Sequence, residues 1–127
     1  MDDPGGTLRV LVADDNRDAA DILAELLRSS GCLASIAYDG SQALALVAEQ
    51  RPDVAILDLD MPGCSGLEVA RAIRCDLHLD ECLCVCLTGM SRCDLQGTAR
   101  DAGFDEVLMK PLNVEDLFRL LEAWKVR

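Results

Sequence analysis

The sequence predicts an α/β domain built on a doubly wound, five-stranded parallel sheet flanked by five helices. Two observations carry that expectation. Short apolar runs alternate five times with segments whose apolar residues recur at helical spacing. Three of those runs, at 8–13, 54–57 and 82–87, are nearly continuously apolar. Strands of a parallel sheet covered on both faces must read that way. Right-handed crossovers then leave a doubly wound open sheet, helices on both faces, as the natural topology, and the expected strand order is 2-1-3-4-5.

The elements follow in order. Residues 1–7, opening Met-Asp-Asp-Pro-Gly-Gly, read as a flexible tail, and residues 8–127 as the domain. The first strand, Leu8–Ala13, stops at Asp14-Asp15. A helix follows with Ile22, Leu23, Leu26 and Leu27 as its apolar stripe, ending near Gly31. Leu33–Tyr38 is the second strand and has the faintest pattern. Asp39-Gly40 opens a helix with the stripe Ala43, Leu44, Val47 and Ala48, closed by Arg51-Pro52. Val54–Leu57 runs into Asp58, and Ser65-x-x-Glu68 is a capping box for a helix reaching about Arg74. Cys82–Leu87 ends at Thr88-Gly89. Ser91-x-x-Asp94 caps a fourth helix that Gly103 ends. Glu106–Met109 is a short last strand before Lys110-Pro111, and Asn113-x-x-Asp116 caps a final helix with Leu117, Leu120, Leu121 and Trp124 on its stripe.

Composition narrows the function. At 127 residues the chain has room for one domain, and half of it is hydrophobic, enough for a full core. Aromatics are only 3%, so that core is Leu, Val, Ala, Ile and Cys. The formal charge of −11 opposes nucleic acid and anionic membrane surfaces as partners. No apolar run approaches the roughly 18 residues a membrane span needs. Seven cysteines form no C-x-x-C pair, and the single histidine, His78, completes no ligand pattern. Cys82, Cys84 and Cys86 alternate with apolar residues, which puts three thiols on one strand face as small core hydrophobes. A reducing cytoplasm is the expected location.

In such sheets ligands bind beyond the carboxyl ends of the strands. The residues there are Asp14 and Asp15 after strand one, Asp58 after strand three, Thr88 after strand four and Lys110 after strand five. In the order 2-1-3-4-5, the three aspartates converge, and Thr88 and Lys110 approach from the other side. Three neighbouring carboxylates repel one another unless a cation intervenes. An oxygen-only donor set suits Mg²⁺. A phosphoryl group on Asp58 would then find its charge met by the metal, by Lys110 and by the Thr88 hydroxyl. Each signal alone has an ordinary reading, such as helix capping for Asp-Asp or a turn for Thr-Gly. Their joint placement at four strand ends is what decides.

Over about residues 8 to 126 the chain resembles the receiver domain of bacterial two-component response regulators, with a CheY-like, flavodoxin-like fold. The matching features are Asp14-Asp15, Asp58 followed by Met61-Pro62-Gly63, Thr88-Gly89 and Lys110-Pro111. The resemblance implies that Asp58 accepts phosphate from a histidine kinase or a histidine phosphotransfer protein. It implies that Asp14, Asp15, Asp58 and the backbone carbonyl of Asp60 hold Mg²⁺, and that the Lys110-Pro111 bond is cis. It also implies no enzyme activity beyond the domain's own aspartyl phosphorylation and dephosphorylation. Asp60 and Met90 occupy positions that tune phosphoryl lifetime in that family. The family often carries Tyr or Phe three residues before the lysine, where this chain has Val107, so a ring-flip switch is impossible here. The exposed faces of the first and last helices are the implied docking surface, in a monomer or weak dimer. Nothing after Trp124 reads as an output segment, which suits a stand-alone receiver or one excised from a larger hybrid kinase or regulator.

Other readings fit less well. Asp58-x-Asp60 resembles the nucleophile motif of haloacid dehalogenase-like phosphatases, but that motif closes a first strand. A flavin module on the same sheet would want a Ser/Thr/Gly-rich first loop, where this chain has Ala-Asp-Asp-Asn-Arg-Asp. A receiver that serves only as a non-phosphorylated docking surface has no need of the complete residue set.

Overall fold

The five apolar runs form one parallel sheet in a computed structural model that describes residues 7–59, 61, 64–77, 81–89 and 99–125. The strands are β1 (Arg9–Ala13), β2 (Leu33–Ala37), β3 (Val54–Asp58), β4 (Leu83–Thr88) and β5 (Glu106–Met109), in the expected order β2-β1-β3-β4-β5. The helices are α1 (Arg17–Ser29), α2 (Gly40–Gln50), α3 (Gly66–Arg71), α4, of which residues 99–102 are described, and α5 (Val114–Lys125). The helix predicted to reach Arg74 changes pitch first. From Ala72 to Asp76 it widens into a π turn, and the Leu77 N–H donates to the Ala72 carbonyl at 2.9 Å.

Alternation along each strand divides the core in two. Leu11, Ala55, Leu57, Cys84 and Cys86 face the layer that holds Val47, Val69, Ile73, Ala99 and Phe104. Val10, Val12, Ile56, Val85 and Leu87 face Leu23 and Leu27 of α1 and Leu117 and Leu121 of α5. The three alternating thiols, Cys82, Cys84 and Cys86, are buried together on the first of these faces, as the spacing predicts.

The start and stop signals act largely as read. Asp39 accepts the Gln42 N–H at 2.8 Å, and both halves of the Ser65–Glu68 capping box are made. Gly31 and Gly103 end α1 and α4 at φ 99° and 114°. Asn113 caps α5 by accepting the Glu115 N–H at 2.9 Å, but the Asp116 carboxylate faces Arg119 at 3.4 Å instead of completing a box. The Ser91–Asp94 cap, the tail through Gly6 and the Trp124 side chain lie outside the described residues.

Two helix stripes need correcting. On α1 the buried row is Ala20, Leu23, Ala24 and Leu27, while Ile22 is 60% and Leu26 39% exposed. The alanines let the helix approach the sheet closely, and this turns the larger aliphatic pair outward. On α2, Ala48 is exposed and Leu46 packs on the core in its place.

Candidate functional site

Register decides what reaches the crevice at the carboxyl edge. Ala13 pairs with Leu57, so β1 and β3 end side by side and deliver Asp14 next to Asp58. Asp58 pairs with Leu87, and Thr88 pairs with Met109, which brings Thr88 and Lys110 onto the same rim. The Lys110 N–H donates to the Thr88 carbonyl at 2.8 Å, tying the ends of β4 and β5 together. The Lys110-Pro111 bond is cis, as expected.

The acid pair is not consumed by capping. Asn16 caps α1, accepting the Ala19 N–H at 3.1 Å, and Asp14 in turn accepts the Asn16 N–H at 3.0 Å. Asp14 and Asp58 are buried, at 3% and 4% exposure, whereas Asp15 is exposed. Oxygens of Asp14, Asp15 and Asp58 all lie within 4.8 Å of one another. The Lys110 ammonium stands 3.2 Å from Asp58 Oδ2 and 3.3 Å from Asp14 Oδ2. Thr88 is fully buried at the end of β4.

The electrostatics follow from that crowding. Burial, then the hydrogen bond and charge of Asp14, push the Asp58 carboxyl up to about 6, and Lys110 only partly opposes them. Burial works to lower the Lys110 pKa, but Asp58 and Asp14 outweigh it and the net shift is upward. Among the described residues three carboxylates face one ammonium, an excess of negative charge. The pocket's donors are all oxygen, the type a hard divalent cation takes, so the residues present fit Mg²⁺.

Val107 is half-buried on β5, opposite Cys86, and packs on the core face that holds Leu57 and Ile73. Asp60 and Met90, the expected tuning positions, and the backbone carbonyl expected to ligate the metal lie outside the described residues.

Motif reading misses two close approaches. A Cβ on Gly66 would lie 2.5 Å from the Asp58 carbonyl oxygen, and one on Gly40 would lie 1.8 Å from the Cys64 carbonyl oxygen. The only sequence trace is a glycine directly after a capping residue in each case, Asp39-Gly40 and Ser65-Gly66. It also misses a clasp beside the acid pair. The Arg17 guanidinium lies 4.2 Å from the centre of the Tyr38 ring, and the Tyr38 hydroxyl donates to Asp21 at 2.6 Å.

Comparison with known proteins agrees with this geometry. A family model described as "Response regulator receiver domain" matches residues 10–122. The response regulator MprA of Mycobacterium ulcerans is 35% identical over 117 residues, covering 92% of this chain and 50% of that protein. The DNA-binding response regulator MtrA of Mycolicibacterium smegmatis is 36% identical over 115 residues, 91% of this chain and 49% of that protein. The chain thus spans about half the length of the curated relatives it matches. Among solved structures, the chemotaxis response regulator CheY4 of Vibrio cholerae superposes with a TM-score of 0.85 at 28% identity, covering 93% of this chain and 98% of that one. The receiver domain of the sensor histidine kinase PA1611 from Pseudomonas aeruginosa, solved with magnesium in its active-site cleft, gives 0.83 at 26% identity over 94% and 98%.

Proposed function

Because this chain belongs to the response regulator receiver domain family of two-component systems, we propose that Asp58 is its phosphoacceptor, with Lys110 and Thr88 as the partners of the transferred group. The single observation that carries this reading is the Lys110 ammonium set between two buried carboxylates, 3.2 Å from Asp58 and 3.3 Å from Asp14. The donor would be a phosphohistidine of a histidine kinase or histidine phosphotransfer protein. An Asp58 oxygen forms a bond to phosphorus as the phosphorus–nitrogen bond breaks, and the imidazole leaves with the electron pair and takes up a proton. There is little covalent chemistry for the protein to perform, so positioning and charge neutralisation do the work. Lys110 meets the developing phosphoryl charge, and the Thr88 hydroxyl donates to a phosphoryl oxygen.

Asp14, Asp15 and Asp58 would hold Mg²⁺, with the Asp60 carbonyl as a further ligand. When bound, the ion supplies the positive charge that lets two buried carboxylates and a phosphate share one pocket. In this reading residues 8–127 are the receiver unit, acting in a bacterial cytoplasm and catalysing only its own aspartyl phosphorylation and hydrolysis. It binds neither nucleic acid nor membrane. The described residues contain no helix long and apolar enough to cross a membrane. With Val107 in place of a ring, the response is carried by movement of the Thr88–Met90 segment and a smaller repacking around Val107. Chemical-shift changes confined to the Asp58 pocket on phosphorylation would sink that part.

Incubation with acetyl phosphate and Mg²⁺, followed by intact-mass measurement, tests the acceptor. The expected result is a gain of one phosphoryl group that is absent in Asp58→Asn. No gain at any Mg²⁺ concentration overturns the reading.

A further inference from the structure

We propose that Gly66 is a positioning residue for phosphoryl transfer: its missing side chain lets α3 seat directly on the carbonyl of Asp58. This inference rests on the reading of Asp58 as the acceptor. The backbone beyond Asp58 is held from two sides. The Leu59 N–H donates to the Leu87 carbonyl at 2.9 Å, and the Leu59 carbonyl accepts the Gly66 N–H at 3.1 Å. A Cβ on Gly66 would meet the Asp58 carbonyl oxygen at 2.5 Å, the Leu59 Cα at 3.1 Å and the Asp58 carbonyl carbon at 3.2 Å. All three are backbone atoms, so no change of rotamer relieves the contact.

Conformation does not explain this glycine. Among the described glycines only Gly31 and Gly103 have positive φ, and Gly66 is the first residue of a helix, where alanine is the better former. Close approach is the remaining reason. The helix has little room to retreat, either. Val69 and Ala70 are fully buried, and the capping box fixes Ser65. Cys64, just before it, lies so close to Gly40 that a Cβ there would come within 1.8 Å of its carbonyl oxygen. The displacement forced by a methyl group at position 66 therefore falls on the Asp58 peptide. Restoring ordinary contact, which begins at 3.4 Å, requires an opening of about 0.9 Å. A misplacement near 1 Å can cost on the order of a hundredfold in rate.

The test is the rate of phosphorylation by acetyl phosphate at saturating Mg²⁺, measured where circular dichroism shows each protein folded. Gly66→Ala is expected to slow the wild-type rate by about ten- to a hundredfold. Leu121→Ala, a core truncation on the α5 side of the sheet, is the control for lost stability and should keep the wild-type rate. Equal rates for Gly66→Ala and wild type overturn the proposal, as does an equal slowing in Leu121→Ala. Ser65→Ala covers the case in which Gly66→Ala does not fold. It removes the hydroxyl that accepts the Glu68 N–H and loosens the start of α3 without a clash. A several-fold slowing there supports the proposal, and an unchanged rate overturns it. A wild-type protein that takes up no phosphate would instead remove the acceptor reading itself, and this proposal with it.

Discussion

Replacing Asp58 by asparagine should make the metal-free protein more stable, and the size of the gain follows from the pocket. The Asp58 carboxyl ionises near 6 instead of at its ordinary 3.8, because burial and then Asp14 disfavour the charge more than Lys110 favours it. Each unit is worth about 1.4 kcal/mol, so keeping Asp58 ionised in the fold costs on the order of 3 kcal/mol. The sign follows from linkage. A carboxyl with a raised folded pKa adds stability below its unfolded value, and that contribution is lost as pH rises through the folded value. The amide keeps the shape without the charge. Wild type and Asp58→Asn should therefore agree near pH 4, diverge between pH 4 and 6, and reach their full gap above that. For a domain of this size a gap of 2 to 3 kcal/mol corresponds to roughly 10 °C in melting temperature. Mg²⁺ should narrow it, since a ligand at a hundred times its dissociation constant stabilises the native state by about 2.7 kcal/mol. Urea or thermal unfolding from pH 4 to 8, with and without Mg²⁺, measures all of this. A variant at pH 8 without Mg²⁺ that is no more stable than wild type refutes the reasoning.

Three further outcomes follow from the same geometry. Mg²⁺ affinity should fall as pH drops through about 6, where Asp58 takes up a proton, and calorimetric titrations at pH 5.5 and 7.5 should differ accordingly. Gly40→Ala should destabilise by about 1–3 kcal/mol or more, since its Cβ would overlap the Cys64 backbone; a denaturant midpoint equal to wild type contradicts that contact. Native alkylation with iodoacetamide, mapped by peptide mass, should label exposed Cys75 well before Cys82, Cys84 and Cys86, which react only on unfolding.

Much of the site is legible because its information is local. Asp14, Asp58 and Lys110 announce themselves by where an apolar run stops, and the topology of parallel sheets brings those stops together. Caps are local too, and Asp39, Ser65 and Asn113 act where the spacing puts them. What stays hidden depends on distances between elements far apart in the chain. Nothing in the row Ile22-Leu23-Leu26-Leu27 says that Ala20 and Ala24 pull α1 close and leave Ile22 outside. Gly40 reads as a helix-start residue, and Gly66 carries no signal of its own, until Cys64 and the Asp58 carbonyl are seen against them. The Tyr38 clasp joins Arg17 and Asp21 across a turn of chain whose length no pattern constrains.

In the proposed reading, the charge imbalance of the pocket sets where a response begins. An acyl phosphate carries nearly twice the charge of the carboxylate it replaces, so phosphorylation deepens an existing excess. Among the described residues, Lys110 is the ammonium that meets both buried carboxylates, and its partly exposed side chain leaves it free to adjust. Its own N–H is bonded to the Thr88 carbonyl, so a pull on Lys110 is a pull on the ends of β4 and β5 together. A swinging ring at position 107 is one way for a receiver to register that pull. Among the described residues, the link at this point is the shared backbone, with Val107 packed opposite Cys86, and β5 is a short strand at one edge of the sheet. An edge strand with one neighbour can shift at less cost than β3, which is buried between two. Asp58, the proposed acceptor, therefore ends a strand paired on both sides, and Lys110 follows an edge strand paired on one.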